Sequence, residues 1–439
     1  MQTNMLLFRL QVIGFLLVFF FLIDTYTWRG IRDLAKKYLP KYIRASKIVF
    51  FGMSVLIIVS VGVLLFFPEL ERFRLPRAIV SGTMVTVIGT KITFLLFVLA
   101  NDILAGLQWL LRKVLPNKEQ VQLPVEEPIA QETDENMPKG TTLSRKQFLY
   151  QSGAIMAIAP VYFFSRGALY DAHNYKVRRI KLPSANLPEA FDGLKIVQIS
   201  DIHSGSFVDK DAVYKGVKMI VDEKPDVFFF TGDMVNTYAY EMNDYLDVFS
   251  PIKAPMGSYS SLGNHDYGDY ARNWKSPEEK AQNLQDLFGH HKNLNWQLLN
   301  NDHVVLDRRG QKLGIIGVEN WGSKARFPKY GDMEKAQKGM PATPYKILLS
   351  HDPSHWDAVV RPQYKDIDLM LAGHTHGMQF GIENKFIKFS PVQWMYKQWA
   401  GLYTQGNQHL YVNRGYGYIG YPGRVGILPE ITVIELVKA

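Results

Sequence analysis

The 439-residue chain contains no cysteine. A disulfide framework and any thiolate metal site are therefore excluded. Sequence signatures for nucleic-acid binding are lacking, as is any internal repeat. The net charge of +9 does not amount to a basic stripe, because much of it gathers in one segment between hydrophobic runs. That distribution points to membrane topology rather than to nucleic acid. The length suits one large globular domain with an appended region.

The appended region comes first. Met5 to Ile23, Ile48 to Phe67 and Ala78 to Ala100 are three apolar runs, and Phe148 to Phe164 is a shorter, softer fourth. A hydrocarbon core ~30 Å thick needs about 20 apolar residues as helix. The expected organisation is a transmembrane region over 1–115 with three helices, a flexible acidic, proline-rich linker over 116–143, a fourth membrane or signal-anchor helix over 144–171, and a catalytic domain over 172–439. Residues 24–47 carry Arg29, Arg32, Lys36, Lys37, Lys41, Arg44 and Lys47 against Asp24 and Asp33, the signature of a cytoplasmic segment. Counting spans from there places the N-terminus and the C-terminal domain on the opposite side. Should Phe148 to Phe164 lie only at the interface, that domain would face the cytoplasm instead. Arg145-Lys146 ahead of the fourth run is similar to a twin-arginine export motif, with lysine in the second position, and reads equally as flanking positive charge. Lys91 lies inside the third run, which holds no acidic residue, so it is expected to snorkel to an interface.

Past Lys195 the pattern changes. Short runs at Leu194–Ser200, Val227–Thr231, Ser258–Leu262, Leu313–Val318, Tyr345–Ser350, Leu369–Ala372, Leu410–Asn413 and Ile431–Leu436 read as strands. Several are almost wholly apolar, as strands covered on both faces are. Residues 209–223 and 277–289 read as helices, so the domain is of the α/β class. Five motifs begin where such runs stop: Asp201-Ile202-His203, Gly232-Asp233, Gly263-Asn264-His265-Asp266, Ser350-His351-Asp352 and Gly373-His374-Thr375-His376. Ligands of α/β sheets gather at the carboxyl ends of strands, so these motifs can meet on one rim. Carboxylate, imidazole and amide oxygen without thiolate suit Mn, Fe, Zn or Mg. His173, His290, His291, His303, His355 and His409 lie outside the motifs and read as ordinary hydrogen-bonded histidines.

The five motifs in this order resemble those of the calcineurin-like metallophosphoesterases, over about Lys195 to Ile434. The resemblance implies a four-layer α/β/β/α sandwich and two divalent metal ions. It implies that Asp201, His203 and His376 hold one cation, that Asn264, His351 and His374 hold the other, and that Asp233 bridges both. A hydroxide shared by the cations would then attack phosphorus in line. His265 would position phosphate or protonate the leaving oxygen, with Asp266 orienting its other ring nitrogen. Gln379, Arg414 and Arg424 are expected near substrate phosphate, although glycine-rich loop packing is an equal reading for the arginines. Met378, where relatives carry glycine, would narrow the site or wall it for a lipid-like substrate, and filling a packing gap is an equal reading. The expected activity is hydrolysis of phosphomonoesters or phosphodiesters by a bacterial inner-membrane protein with its domain on the periplasmic or extracellular side. Its partners would be the bilayer and a phosphoester substrate, lipid-linked or of the envelope, with no nucleic acid and no protein partner. The resemblance leaves open a UDP-2,3-diacylglucosamine pyrophosphatase-type hydrolase of lipid A metabolism, which needs a cytoplasmic domain, and a catalytically inactive metal-binding sensor or scaffold.

Overall fold

A computed structural model describes residues 2–67, 70, 73–114, 143–271, 273–324, 327 and 329–439. All but the last residue of the linker expected over 116–143 lies outside the described residues. The chain forms two compact units, Met1–Phe66 with Thr83–Tyr162, and Phe67–Gly82 with Phe163–Ala439.

The helices of the N-terminal region are α1 (Gln2–Tyr38), α2 (Ile43–Phe66), α3 (Arg74–Val114), α4 (Arg145–Met156) and α5 (Ile158–Leu169). Among the described residues, four helical stretches are long and apolar enough to cross a membrane: Leu6–Tyr38, Pro40–Phe66, Arg74–Val114 and Arg145–His173. Phe15, Phe21, Ile48 and Leu56 point outward, as lipid-facing side chains must. Leu16, Phe20, Ile57 and Val87 pack against one another. The basic segment is helical through Tyr38 and breaks only at the short turn Pro40–Tyr42. Lys91 departs from the snorkelling expectation. It is buried, and its Nζ lies 2.6 Å from Asp24 Oδ1 and 2.5 Å from Ser54 Oγ and donates to the Phe50 carbonyl. The acidic partner sits on α1, so reading the third span alone could not find it. An ionised amine inside a bundle needs such a partner.

The second unit holds two six-stranded sheets. The first has the order β1 (Lys176–Ser184), β14 (Glu430–Lys438), β2 (Lys195–Ile199), β3 (Val227–Thr231), β4 (Ser258–Ser261), β5 (Gln297–Leu298). The second runs β12 (Gly401–Gln405), β13 (Gln408–Val412), β9 (Leu369–Ala372), β8 (Lys346–Leu349), β7 (Gln311–Gly317), β6 (Asp302–Arg308). A small hairpin, β10 (Ile382–Glu383) with β11 (Lys388–Phe389), stands apart. Central pairs are parallel, with Ile196 opposite Val227 and Leu349 opposite Leu371.

Alternation along each strand builds the layers. Ile196, Phe229, Ile315, Ile347, Leu371 and Ile434 form the core between the sheets. Val197, Phe228, Phe230 and Val433 face outward into a second core with Val213, Val217 and Ile220. Those three lie at helical spacing on α6 (Lys210–Asp222), whose first turn is capped by Asp209 accepting from the Ala212 amide at 2.9 Å. Ile316, Leu348, Met370 and Val412 form a third core with Trp356 and Val360. Burial of each such side chain contributes roughly 1.5–3 kcal/mol. The result is the expected four-layer α/β/β/α sandwich.

Candidate metal centre

The parallel strands β2, β3, β4, β8 and β9 end on one rim. Asp201 and His203 follow β2, Asp233 follows β3, Asn264 follows β4, His351 follows β8, and His374 and His376 follow β9. Five of these residues hold a left-handed backbone: Asp201 (φ 52°), His203 (49°), Asp233 (60°), His374 (73°) and His376 (50°). Outside glycine that conformation costs on the order of 1–2 kcal/mol per residue. Such strain persists where a site needs its side chains aimed against their natural direction. Glycine is required between them. A Cβ on Gly232 (φ +88°) would press on the Gly263 backbone and on His351 Nδ1.

The donors form two groups, Asp201 with His203 and His376, and Asp233 with His351 and His374. Within each group the donor atoms lie within 4.8 Å of one another. His203 Nε2 is 3.0 Å from His376 Nε2, and His376 Nε2 is 3.2 Å from Asp201 Oδ1. In the other group His351 Nε2 is 3.1 Å from Asp233 Oδ2 and 3.3 Å from His374 Nδ1. Asp233 Oδ2 also lies 3.5 Å from His203 Nε2, so it stands between the groups. His351 Nδ1 donates to the Thr231 carbonyl at 2.7 Å, which turns Nε2 toward the other donors. His374 Nε2 is 2.8 Å from the Tyr396 hydroxyl. Asn264 donates its amide to Tyr270, while its Oδ1 is buried with no hydrogen-bond partner among the described residues.

The electrostatics follow from this crowding. Burial pushes Asp233 up, but His351, His265 and His203 outweigh it and hold the carboxyl well below its usual range. Asp201 is likewise held low against burial by His376 and His351. Burial lowers His351, yet Asp233 and Asp201 carry it up to about 10. Burial pushes His203 and His374 down, toward the neutral form that ligates metals.

The residues fit a pair of divalent cations. Ring nitrogens turned toward each other at 3.0 and 3.3 Å, two carboxylates between them and an orphaned amide oxygen form a donor set that cations would satisfy. The site opens into a cavity of about 380 Å³ lined by His203, Asp233, Asn264, His265, His374 and His376, with Met378, Val392 and Met395 as an apolar wall.

Four of the expected site residues are engaged by the protein itself. Asp266 does not touch the His265 ring; it accepts from the amides of Asp233, Met234 and Gly263 at 2.8–2.9 Å. Burial beside Asp233 raises it to about 7. His265 Nδ1 instead lies 2.7 Å from the Asn236 carbonyl, and its amide donates to Asp233 Oδ1. Gln379 is buried and bonds Tyr421, Gly423 and Ile419 backbone. Arg414 is buried against Glu430 (2.5 Å) and Glu383 (2.6 Å). Arg424 is buried among the carbonyls of Arg414, Gly415 and Gly417, with Nη2 3.3 Å from His376 Nδ1. These three side chains tie the loops together, which for the arginines is the loop-packing reading. Two neighbours carried no assigned role in the sequence. Asp352 Oδ2 is 3.6 Å from His374 Nε2, and its place beside His351 was its only signal. Tyr396, on a later loop, had none.

The comparisons agree with this architecture. A family model described as "Calcineurin-like phosphoesterase" matches residues 194–378, and one described as "Probable Calcineurin-like phosphoesterase, transmembrane domain" matches residues 8–171. The chain is 30% identical over 292 residues to a transmembrane protein with metallophosphoesterase domain from Danio rerio, covering 65% of this chain and 62% of that protein. It is 25% identical over 299 residues to phosphodiesterase YaeI of Escherichia coli, covering 67% of this chain and 100% of the relative. Metallophosphoesterase YkuE of Bacillus subtilis is 30% identical over 307 residues, 67% of this chain and 98% of YkuE. The chain is thus a membrane protein that belongs to the calcineurin-like metallophosphoesterases, a family of phosphoester hydrolases.

Proposed function

We propose that this chain is a membrane-anchored phosphoesterase that works with two divalent cations and opens phosphomonoesters or phosphodiesters by in-line displacement. Its substrate is lipid-linked or part of the envelope. Its catalytic unit faces the periplasm or exterior across a bacterial inner membrane. The observation that carries the reading is Asp233 Oδ2, placed 3.1 Å from His351 Nε2 and 3.5 Å from His203 Nε2, between two complete donor groups. Asp201, His203 and His376 would hold one cation, Asn264, His351 and His374 the other, and Asp233 both. When bound, such a pair supplies Lewis-acid charge to the phosphoryl oxygens and lowers the pKa of water. The chain's own groups do the rest. The Asn236 carbonyl fixes a proton on His265 Nδ1, so Nε2 is the atom that exchanges a proton with the leaving oxygen. Asp266 holds the loop that aims Asp233. Met378, Val392 and Met395 make one wall of the cavity apolar. Four spans return the chain to its starting side, opposite the basic segment 24–47.

The test uses the full chain purified in detergent, with metal content and hydrolysis of bis-p-nitrophenyl phosphate measured with and without added Mn. Two equivalents of metal and Mn-dependent turnover are expected, and Asp233→Asn should fold yet lose turnover. Near-normal turnover in folded, metal-replete Asp233→Asn would refute the bridging role. Two bound equivalents with no hydrolysis of any phosphoester would favour a sensor.

A further inference from the structure

Much of the large apolar surface exposed on the second unit lies in one stretch, between β9 and β12. Phe380, Ile382, Phe386, Ile387, Trp394 and Met395 are all exposed there, with Phe386 at 94% and Trp394 at 76%. Contiguous apolar patches of this kind mark interaction surfaces. The patch is built rather than loose. Asn384 Oδ1 accepts from the amides of Phe386 (2.8 Å) and Ile387 (2.9 Å), which fixes the tip of the β10–β11 hairpin. At the hairpin base Glu383 is tied to Arg178 and Arg414, and Trp394 sits edge-on against Phe389. Lys385 and Lys397 are exposed on the same stretch.

Two placements say what covers it. Phe380, just before the hairpin, stacks on Phe164 at 6.1 Å, and Tyr421 meets the same ring edge-on. Phe164 lies on α5, within the fourth apolar helical stretch, so the patch begins against a side chain of that helix. In the other direction, Met378, Val392 and Met395 belong both to this stretch and to the wall of the metal-centre cavity. Aromatic residues flanked by lysines have the composition of a bilayer-interface anchor.

We propose that the β10–β11 hairpin and the turn carrying Trp394 dock on the bilayer surface, so that the cavity of the metal centre opens onto the lipid headgroups and takes its phosphoester from an amphiphile held in the membrane. Docking stands on the patch alone; the substrate class rests on the phosphoesterase reading above.

The cysteine-free sequence makes a direct test simple. Phe386→Cys in the full chain gives a single spin-labelling site, and Lys312→Cys, at an exposed position of β7, gives the control. Both are reconstituted in phosphatidylethanolamine–phosphatidylglycerol vesicles, and label depth is read from relaxation by oxygen and by a water-soluble nickel chelate. The 386 label should be shielded from nickel and open to oxygen, the 312 label the reverse. A 386 label as open to nickel as the 312 label overturns docking. In parallel, the Phe386→Asp/Trp394→Asp variant is assayed on vesicle-embedded hexadecyl p-nitrophenyl phosphate and on soluble bis-p-nitrophenyl phosphate. Roughly a tenfold loss is expected on the embedded ester, with soluble turnover within about twofold of the parent. Equal loss on both esters, or loss on neither, overturns presentation from the membrane. A parent chain that hydrolyses neither ester counts against the phosphoesterase reading alone, because the label depth still decides docking.

Discussion

Gly263→Ala tests the placement of the shared carboxylate without removing any polar group. A Cβ on Gly263 would stand 2.6 Å from the Asp233 amide nitrogen and closer still to its Oδ1, where ordinary contact begins at 3.4 Å. Asp233 must therefore retreat by about 1 Å, a displacement that costs on the order of 10²-fold in rate. It cannot retreat alone. Its amide and that of Gly263 both donate to Asp266 Oδ2 at 2.9 Å, and its Oδ1 accepts from the His265 amide at 2.8 Å. The loss corresponds to roughly 2.7 kcal/mol of transition-state stabilisation. The assay is kcat on bis-p-nitrophenyl phosphate in the full chain, alongside metal content and melting temperature. Gly289→Ala is the control, since a Cβ there meets nothing within 4 Å and its helix gains about 0.5–1 kcal/mol. Full metal content with turnover within about threefold of the parent in Gly263→Ala would refute the assigned geometry.

His265→Ala should slow hydrolysis by ~10²–10⁴-fold with metals retained, and by less for a nitrophenol than for an alkyl leaving group; equal losses on both would remove the proton-transfer role. Arg414→Met removes the nearer cation from buried Glu430 and leaves Arg178 alone between Glu430 and Glu383, so it should destabilise the unit by about 3 kcal/mol. A raised KM at unchanged melting temperature would instead restore a substrate contact. His291 is buried with Nδ1 2.9 Å from Ser260 Oγ, and burial holds it down to about 3. The unfolded chain takes up this proton near the ordinary pKa of ~6.5 and the folded chain does not, so stability falls as pH drops from there toward 3, by up to roughly 1.4 kcal/mol per pH unit. Melting curves between pH 7 and 5 should show that slope, and His291→Gln should flatten it; an unchanged slope would contradict the assignment.

What the sequence revealed depended on how local each signal was. Val227–Thr231 is apolar on both faces and reads as a buried strand, and β3 covers those residues. The edge strands β1 and β6 mix charge into every turn of the pattern, because one flank faces water, and they were not legible. The donors announce themselves by residue type at strand ends. Their supports do not, since backbone carbonyls such as those of Asn236 and Thr231 carry no sequence identity. Asp266 sits next to His265 in the chain, yet the turn points it back at the amides of Asp233 and Met234. Arg414 looked like a phosphate ligand because Glu383 and Glu430, which neutralise it, lie elsewhere in sequence. Lys91 and Asp24 pose the same difficulty between helices.

The donors come from both sheets: Asp201, Asp233 and Asn264 from the edge of one, His351, His374 and His376 from the edge of the other. Cations gripped by both would act as a clasp across the seam, and their affinity would be thermodynamically inseparable from the cohesion of the sandwich. At a free metal concentration 100 times the dissociation constant, that coupling amounts to about 2.7 kcal/mol for one site. Chelation should accordingly lower the melting temperature and speed amide exchange where the layers meet, and a stripped protein melting like the loaded one would break the link. Starvation for metal would then silence such a protein by loosening its architecture as well as by emptying its reaction centre.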